Sequence, residues 1–259
     1  AILIEDGEAV GVRTASGEQF KAPVIVSAAG ALETVKRLLP KEIGAQEWAR
    51  EIASFKPSVC HFEVYLGFEG DIARHGATRS NHWFYESWET GDAIWQAASP
   101  LKMAFVSFPS LKDPAHDPAS PTKHTGQMMV LADWSAVAGF ADGGADDRPA
   151  EWMAFKQDIE ARLMAFFAKK FPALAPMIVY QELGTPLATA FFTGHEKGGF
   201  YGVETTPRRV LSEALRARTP VPGLFLTGQD VMSPGIAGAL YGGMLGAAAI
   251  DPRIFQRFR

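Results

Sequence analysis

The stretch GLFLTGQDVMSPGIAGALYGG, residues 223–243, carries the reading of the fold. Leu224, Phe225, Leu226 and Thr227 form a short apolar run between Gly223 and Gly228, the pattern of a buried strand. Gln229 and Asp230 follow at its carboxyl end. Pro234 and Gly235 then open a helix in which Gly238, Gly242 and Gly246 share one face at four-residue spacing. Glycine costs up to about 1 kcal/mol per helical position relative to alanine, so three on one face require a compensating close approach. Two occupants of that space are open: a packed strand of the same protein, or a flat ligand at the helix N-terminus. In the second case Asp230 and the backbone N–H groups of Ile236, Ala237 and Gly238 would converge on it.

Working outward, residues 1–30 read as a hairpin turning at Asp6-Gly7, with a further turn at Ser16-Gly17, followed by the buried strand APVIVSAAG. A continuous Val24-Ile25-Val26 run ending in small residues is typical of a parallel strand whose carboxyl end faces a ligand. A short helix over 31–39 stops at Pro40. From Phe55 the composition shifts to aromatic strands. In VCHFEVYLGF, Cys60, Phe62, Val64, Leu66 and Phe68 alternate with His61, Glu63 and Tyr65, a half-buried strand. HWFYESWE, MAFVSFPSL and GQMMVLADW continue an antiparallel or mixed sheet with one functional face. The polar, proline-rich stretch 112–126 is a surface loop, and 140–150 is a connector. It leads to a helix over 149–170, where Trp152, Phe155, Ile159, Leu163, Phe166 and Phe167 recur at helical spacing as a core stripe. A strand over 177–192 and a loop containing VETTPRR lead back to Gly223.

With 259 residues, 47% hydrophobic, and a net charge of −4 without a basic run, the chain suits a globular protein and offers no footprint for nucleic acid. A single cysteine, Cys60, gives neither an intrachain disulfide nor a thiolate metal site. The six histidines lack metal-ligand spacing, so no metal is expected. There is no G-x-S-x-G elbow, and no segment reaches the roughly 20 apolar residues that span a bilayer.

The segment LFLTGQDVMSPGIAGALYGGMLGAA resembles the C-terminal flavin-contacting segment of the phytoene desaturase, carotenoid isomerase and retinol saturase family of FAD-dependent oxidoreductases, closest to the retinol saturase-like branch. ILIEDGEAVGVRTASGEQFKAPVIVSAAG is similar to the family's later flavin-domain strands, and LGTPLATAFFTGHEKGGFYGVETTPRR to the segment before its last flavin strand. The resemblance implies an α/β (α+β mixed) fold: an incomplete Rossmann-like FAD-binding domain formed by residues 1–55 and 206–259, with an inserted mixed-sheet substrate domain over 56–205. It makes Asp230 the acid that holds the flavin's ribityl chain or diphosphate. The backbone at Gly235, Ile236, Ala237 and Gly238 would face the ring, with Gly228 and Gln229 at the strand end and Ala28, Ala29 and Gly30 closing the other side. The family's N-terminal GxGxxG loop is missing. The chain also opens inside a strand, without methionine. The expectation is therefore a C-terminal piece of a flavoenzyme, by itself doubtful in FAD binding and inactive.

The implied reaction is desaturation, saturation or isomerisation of an isoprenoid, carotenoid or retinoid-like alkene. Phe62, Trp83, Tyr85, Trp88 and Trp95 are candidates to line an apolar tunnel, with Glu63, Tyr65 and His195 as polar members; no catalytic residue is identified. The expected partner is a lipophilic small molecule and the expected location cytoplasmic, with peripheral membrane contact. The alternatives are a flavin amine oxidase, or a degenerate module that binds a lipid or a partner protein without catalysis.

Overall fold

The computed structural model describes residues 1–88, 100–116, 123–142 and 148–258. Trp95, and parts of the loop 112–126 and the connector 140–150, lie outside them. The chain forms two compact units, one of Ala1–Ser58 with Thr193–Arg259 and one of Val59–Phe192.

In the first unit, β1 (Ile2–Glu5), β2 (Glu8–Arg13) and β3 (Gln19–Lys21) form an antiparallel ribbon. Strand β4 (Ile25–Ser27) follows, and then α1 (Ala31–Glu33) runs on through a wider helical turn, Thr34–Leu38, to Pro40. Two further helices, α2 (Lys41–Gly44) and α3 (Glu47–Ala53), cover the core, where Leu32, Trp48, Ile52 and Phe55 are buried. Of the Val24-Ile25-Val26 run only Ile25 is buried; Val24 and Val26 are 39% and 45% exposed. The expected continuous burial fails because β4 points only alternate residues at this core.

The second unit opens with β5 (Cys60–Glu69), β6 (His82–Tyr85), β7 (Met103–Ser107) and β8 (Lys123–Ala132). The helix α4 (Ala150–Lys170) and the strand β9 (Ile178–Gly184) follow. Among the described residues these strands make one antiparallel sheet in the order β6-β7-β8-β5-β9. Period-two alternation turns Phe62, Val64, Leu66 and Phe68 towards one side, into a core shared with Ile159, Leu163 and Phe167 of α4. The Phe68 and Phe167 rings lie 6.1 Å apart, and those of Phe62 and Phe155 6.2 Å. Phe62, fully buried on this side, is therefore a core residue and lines no tunnel.

The strand expected over 177–192 ends at Gly184 and becomes α5 (Pro186–Thr193). Thr185 caps this helix, its hydroxyl accepting the Ala188 N–H at 3.3 Å, and Pro186 occupies the first turn. The chain rejoins the first unit at Thr193, ahead of the boundary expected at 206. The stretch after it is bound there: Ser58 N–H donates to Gly202 O at 2.7 Å, and Tyr201 N–H to Ser58 Oγ at 2.8 Å. Helix α6 (Pro207–Leu211), β10 (Leu224–Leu226) and α7 (Gly235–Ile250) complete the unit, with β10 pairing in parallel with β4.

Candidate functional site

Parallel pairing of β4 with β10 brings their carboxyl ends side by side, so the turn Ala28-Ala29-Gly30 adjoins the turn Gly228-Gln229-Asp230. Gly30 turns into α1 with φ 95, a left-handed conformation that favours glycine. Asp230 is buried, and each of its oxygens has a backbone partner. Oδ2 accepts the Ala31 N–H at 2.7 Å, and Oδ1 the Val203 N–H at 2.9 Å. A side chain at Gly202 would collide with Oδ1. One carboxylate thus fastens three chain segments.

Arg209, also buried, reinforces the junction. Its Nη1 donates to Val203 O at 2.6 Å and its Nη2 to Gln229 O, with Asp230 Oδ1 3.9 Å away. Burial lowers the Arg209 pKa and the Asp230 charge opposes that shift. The Gln229 amide donates to Phe200 O at 3.1 Å, while its oxygen accepts the Gly235 N–H at 3.3 Å, fixing the start of α7.

The glycine face of α7 meets protein. Added side chains would strike the Ser233 carbonyl at Gly238 and the Gly228 carbonyl at Gly242, and would come 3.0 Å from Thr227 Oγ1 at Gly246. These three are the buried residues of the helix, so close approach of strand and turn accounts for these glycines. Ile236 and Ala237 are exposed, and beyond the Gln229 bond to Gly235 the N-cap residue, Pro234, supplies no side-chain cap. Ala28 and Ala29 are exposed as well, and the space where Gly228 lacks a Cβ is open. The open cradle therefore consists of Ala28, Ala29, Gly228, Ile236 and Ala237, with Asp230 and Gly238 beneath it.

His195 belongs to this unit. Its Nδ1 lies 3.0 Å from Gly199 O, and its Nε2 faces Gly30. Its loop is tied to α1: buried Glu33 accepts the Glu196 N–H at 3.0 Å, and Lys36 pairs with Glu196 at 2.6 Å. A cleft of about 410 Å³ opens beside them, lined by Leu32, Glu33, Lys36, Arg37, Gly194 and Glu196.

In the second unit Tyr65, Trp83 and Tyr85 share the sheet face opposite α4, each about half exposed. Register aligns Trp83, Phe105, Met129, Glu63 and Gly184 in one row across all five strands. The Trp83 and Phe105 rings are 5.0 Å apart. Glu63 is buried, 3.6 Å from His61 Nε2, with Tyr65 two residues along on the same face of β5. Burial, then the charge and hydrogen bond of Glu63, then Glu182, push the Tyr65 pKa up to about 12. Trp88 is fully exposed among the described residues.

Sequence reasoning missed Arg209, which the pattern does not separate from exposed Arg208, and Glu33, whose burial no periodicity announces. It also missed a cavity of about 540 Å³ in the second unit, lined in part by Ser110, Asp113, His116 and His124. Ser110 Oγ lies 3.1 Å from His124 Nδ1, yet it also accepts the Thr125 N–H at 3.1 Å, the bonding of a structural hydroxyl. Among the described residues no three His, Cys, Asp or Glu side chains group to hold a metal ion, and no helix is long and apolar enough to cross a membrane.

The fold is Rossmann-like: the structure of an oxidoreductase from Methanosarcina mazei matches 96% of the chain with a TM-score of 0.54 at 16% identity, over 47% of its own length. The chain is homologous to the all-trans-retinol 13,14-reductases and the prolycopene isomerases. The rat reductase is 26% identical over 267 residues, 97% of this chain and 44% of the relative. The chloroplastic prolycopene isomerase of Arabidopsis thaliana is 25% identical over 238 residues, 91% of this chain and 37% of the relative. The chain thus spans less than half the length of these curated relatives. No family model matches it.

Proposed function

We propose that this chain is part of a flavin-dependent oxidoreductase acting on carbon–carbon bonds of an isoprenoid, retinoid or carotenoid-like substrate. The observation that carries the reading is homology to a retinol reductase along 97% of the chain, including both ends that build the cradle. The cradle fits FAD in its open part. Ala28, Ala29 and Gly228 leave room for a flat group, and the Ile236 and Ala237 N–H groups present partial positive charge to it. When bound, FAD supplies hydride or electron exchange, the chemistry that side chains lack.

The role of Asp230 then lies in support. With both oxygens on backbone amides, it holds the two strand ends at one spacing, while Gln229 and Arg209 fix the entrance to α7. In the second unit the aromatic sheet face supplies apolar surface for a polyene, with the buried carboxylate of Glu63 within it.

The test is the absorbance spectrum of the full-length protein between about 350 and 500 nm, beside this chain soaked with FAD. Flavin bands in the former support the reading. A colourless protein that cannot be reconstituted would sink it and favour a binding module. Asp230→Ala in the full-length protein should lower FAD retention by about tenfold or more, through loosening of the cradle. Retention at the wild-type level would remove Asp230 from the site.

A further inference from the structure

Two hydrogen-bond acceptors meet at Gly30 with no donor between them. A side chain added at Gly30 would collide with Glu33 Oε2 and come 3.7 Å from His195 Nε2, so both atoms border the space that this glycine leaves open. Glu33 is 8% exposed. Its Oε1 accepts the Glu196 N–H at 3.0 Å, whereas Oε2 has no hydrogen-bond partner among the described residues. A largely buried carboxylate oxygen without a donor costs stability unless something outside the chain supplies one. Glu33 also borders the cleft of about 410 Å³, so it is reachable from outside.

His195 presents an acceptor for a chemical reason. Its Nδ1 lies 3.0 Å from Gly199 O, and a carbonyl only accepts, so the neutral ring keeps its proton on Nδ1. Nε2 then carries a lone pair. Neutral His195 and Glu33 cannot satisfy each other, and among the described residues they form no hydrogen bond or ion pair. The neighbouring cations are turned to the loop: Lys36 pairs with Glu196 at 2.6 Å, and Arg37 Nη1 donates to Gly194 O. A phosphate beside Glu33 Oε2 would be repelled by its charge. What the two acceptors can receive together is a pair of neutral donors.

The pair also has a fixed place. Ala28 and Ala29 of the cradle immediately precede Gly30, and Asp230 Oδ2 holds the Ala31 N–H just beyond it at 2.7 Å. The acceptors thus stand at the rim of the cradle.

We infer that Glu33 Oε2 and His195 Nε2 receive two neighbouring hydroxyl groups of the cofactor's sugar. The inference rests on the flavin reading above and gives that cofactor two binding side chains in this chain. FAD carries neighbouring hydroxyls in its ribose and in its ribityl chain, and the experiment separates the two.

Fluorescence titration of the full-length apoprotein measures the affinities of FAD, of its 2′,3′-dideoxyadenosine analogue and of its 2′,3′-dideoxyribityl analogue. One analogue should bind the wild type about tenfold more weakly than FAD, and which one names the sugar. In Glu33→Gln and in His195→Phe that ratio should shrink about threefold or more. A merely structural role would lower the affinities of FAD and analogue alike and leave the ratio unchanged. Where a variant folds poorly, nitrogen-15 NMR of the histidine-labelled wild type replaces it: the His195 Nε2 resonance should move with FAD and stay in place with the weaker analogue. Equal affinity of the wild type for all three overturns the inference and leaves the flavin reading standing, as does a ratio that neither variant changes. A full-length protein that takes up no FAD overturns both.

Discussion

The two units reach a packed interior by opposite means. In the second, bulk fills space: phenylalanines from β5 and α4 interlock, and Phe62, Phe68 and Phe167 are at most 1% exposed. In the first, bulk is removed so that backbone can meet backbone, with Gly242 against the Gly228 carbonyl and Gly202 against the Asp230 carboxylate. A core built on side-chain volume tolerates a change of shape at some cost. A junction built on backbone contact and a buried charge tolerates almost none, because the neighbour that would have to move is the chain itself. The lesson is that the region holding a candidate cofactor cradle is made stiff by subtraction, whereas the second unit keeps an exposed aromatic sheet face.

Three experiments would break or sharpen this contrast. The largest effect is expected for Gly242→Leu. Its side chain has no space against the Gly228 carbonyl, and about 3 kcal/mol or more should be lost through overpacking. Hydrogen exchange should show lost protection in β10 and α7 with β5 and β8 unchanged; equal loss in both units would erase the distinction. Phe167→Ala should cost about 3 kcal/mol by opening a cavity between α4 and the sheet, read as a lower denaturant midpoint. Its exchange pattern should be the converse, with β5 and α4 loosened first.

The smallest effect concerns pH. Tyr65 has its pKa raised from 10.0 to about 12, so between these values the folded protein binds more protons than the unfolded chain. Its contribution is complete below pH 10 and is lost as pH rises through about 12. Phenolate absorbance should show a late step in that window that Tyr65→Phe removes; a step unchanged in the variant would detach Tyr65 from Glu63.

Much of this arrangement was legible from sequence where one periodicity governs burial. The α4 stripe and the two faces of β5 follow directly from spacings of 3.6 and 2. The helix α5 was not legible in the same way. PLATAFF is a short, almost wholly apolar run and reads as a continuation of the strand, although the Thr185-Pro186 pair carried a helix-start signal. Residues of the cradle divide similarly. Asp230 and the glycine face stand out, but whether a ligand or the chain itself occupies the space beside Gly238 depends on tertiary contact. Arg209 and Arg208 are adjacent and chemically identical, yet one is buried on three carbonyls and the other lies over the Phe55 ring at 4.4 Å. Nothing local distinguishes them.

The Asp230 junction also leaves an uneven evolutionary record. Its partners at Ala31 and Val203 are main-chain N–H groups, which every residue except proline supplies. The bonds do not depend on which side chain stands at either position, although burial in the core limits both Ala31 and Val203 in volume and polarity. Asp230 has no such freedom, and Gly202 shares its constraint through the space it leaves. Divergent lineages should therefore keep the acid and this glycine in register, with small or apolar residues at the two buried partners.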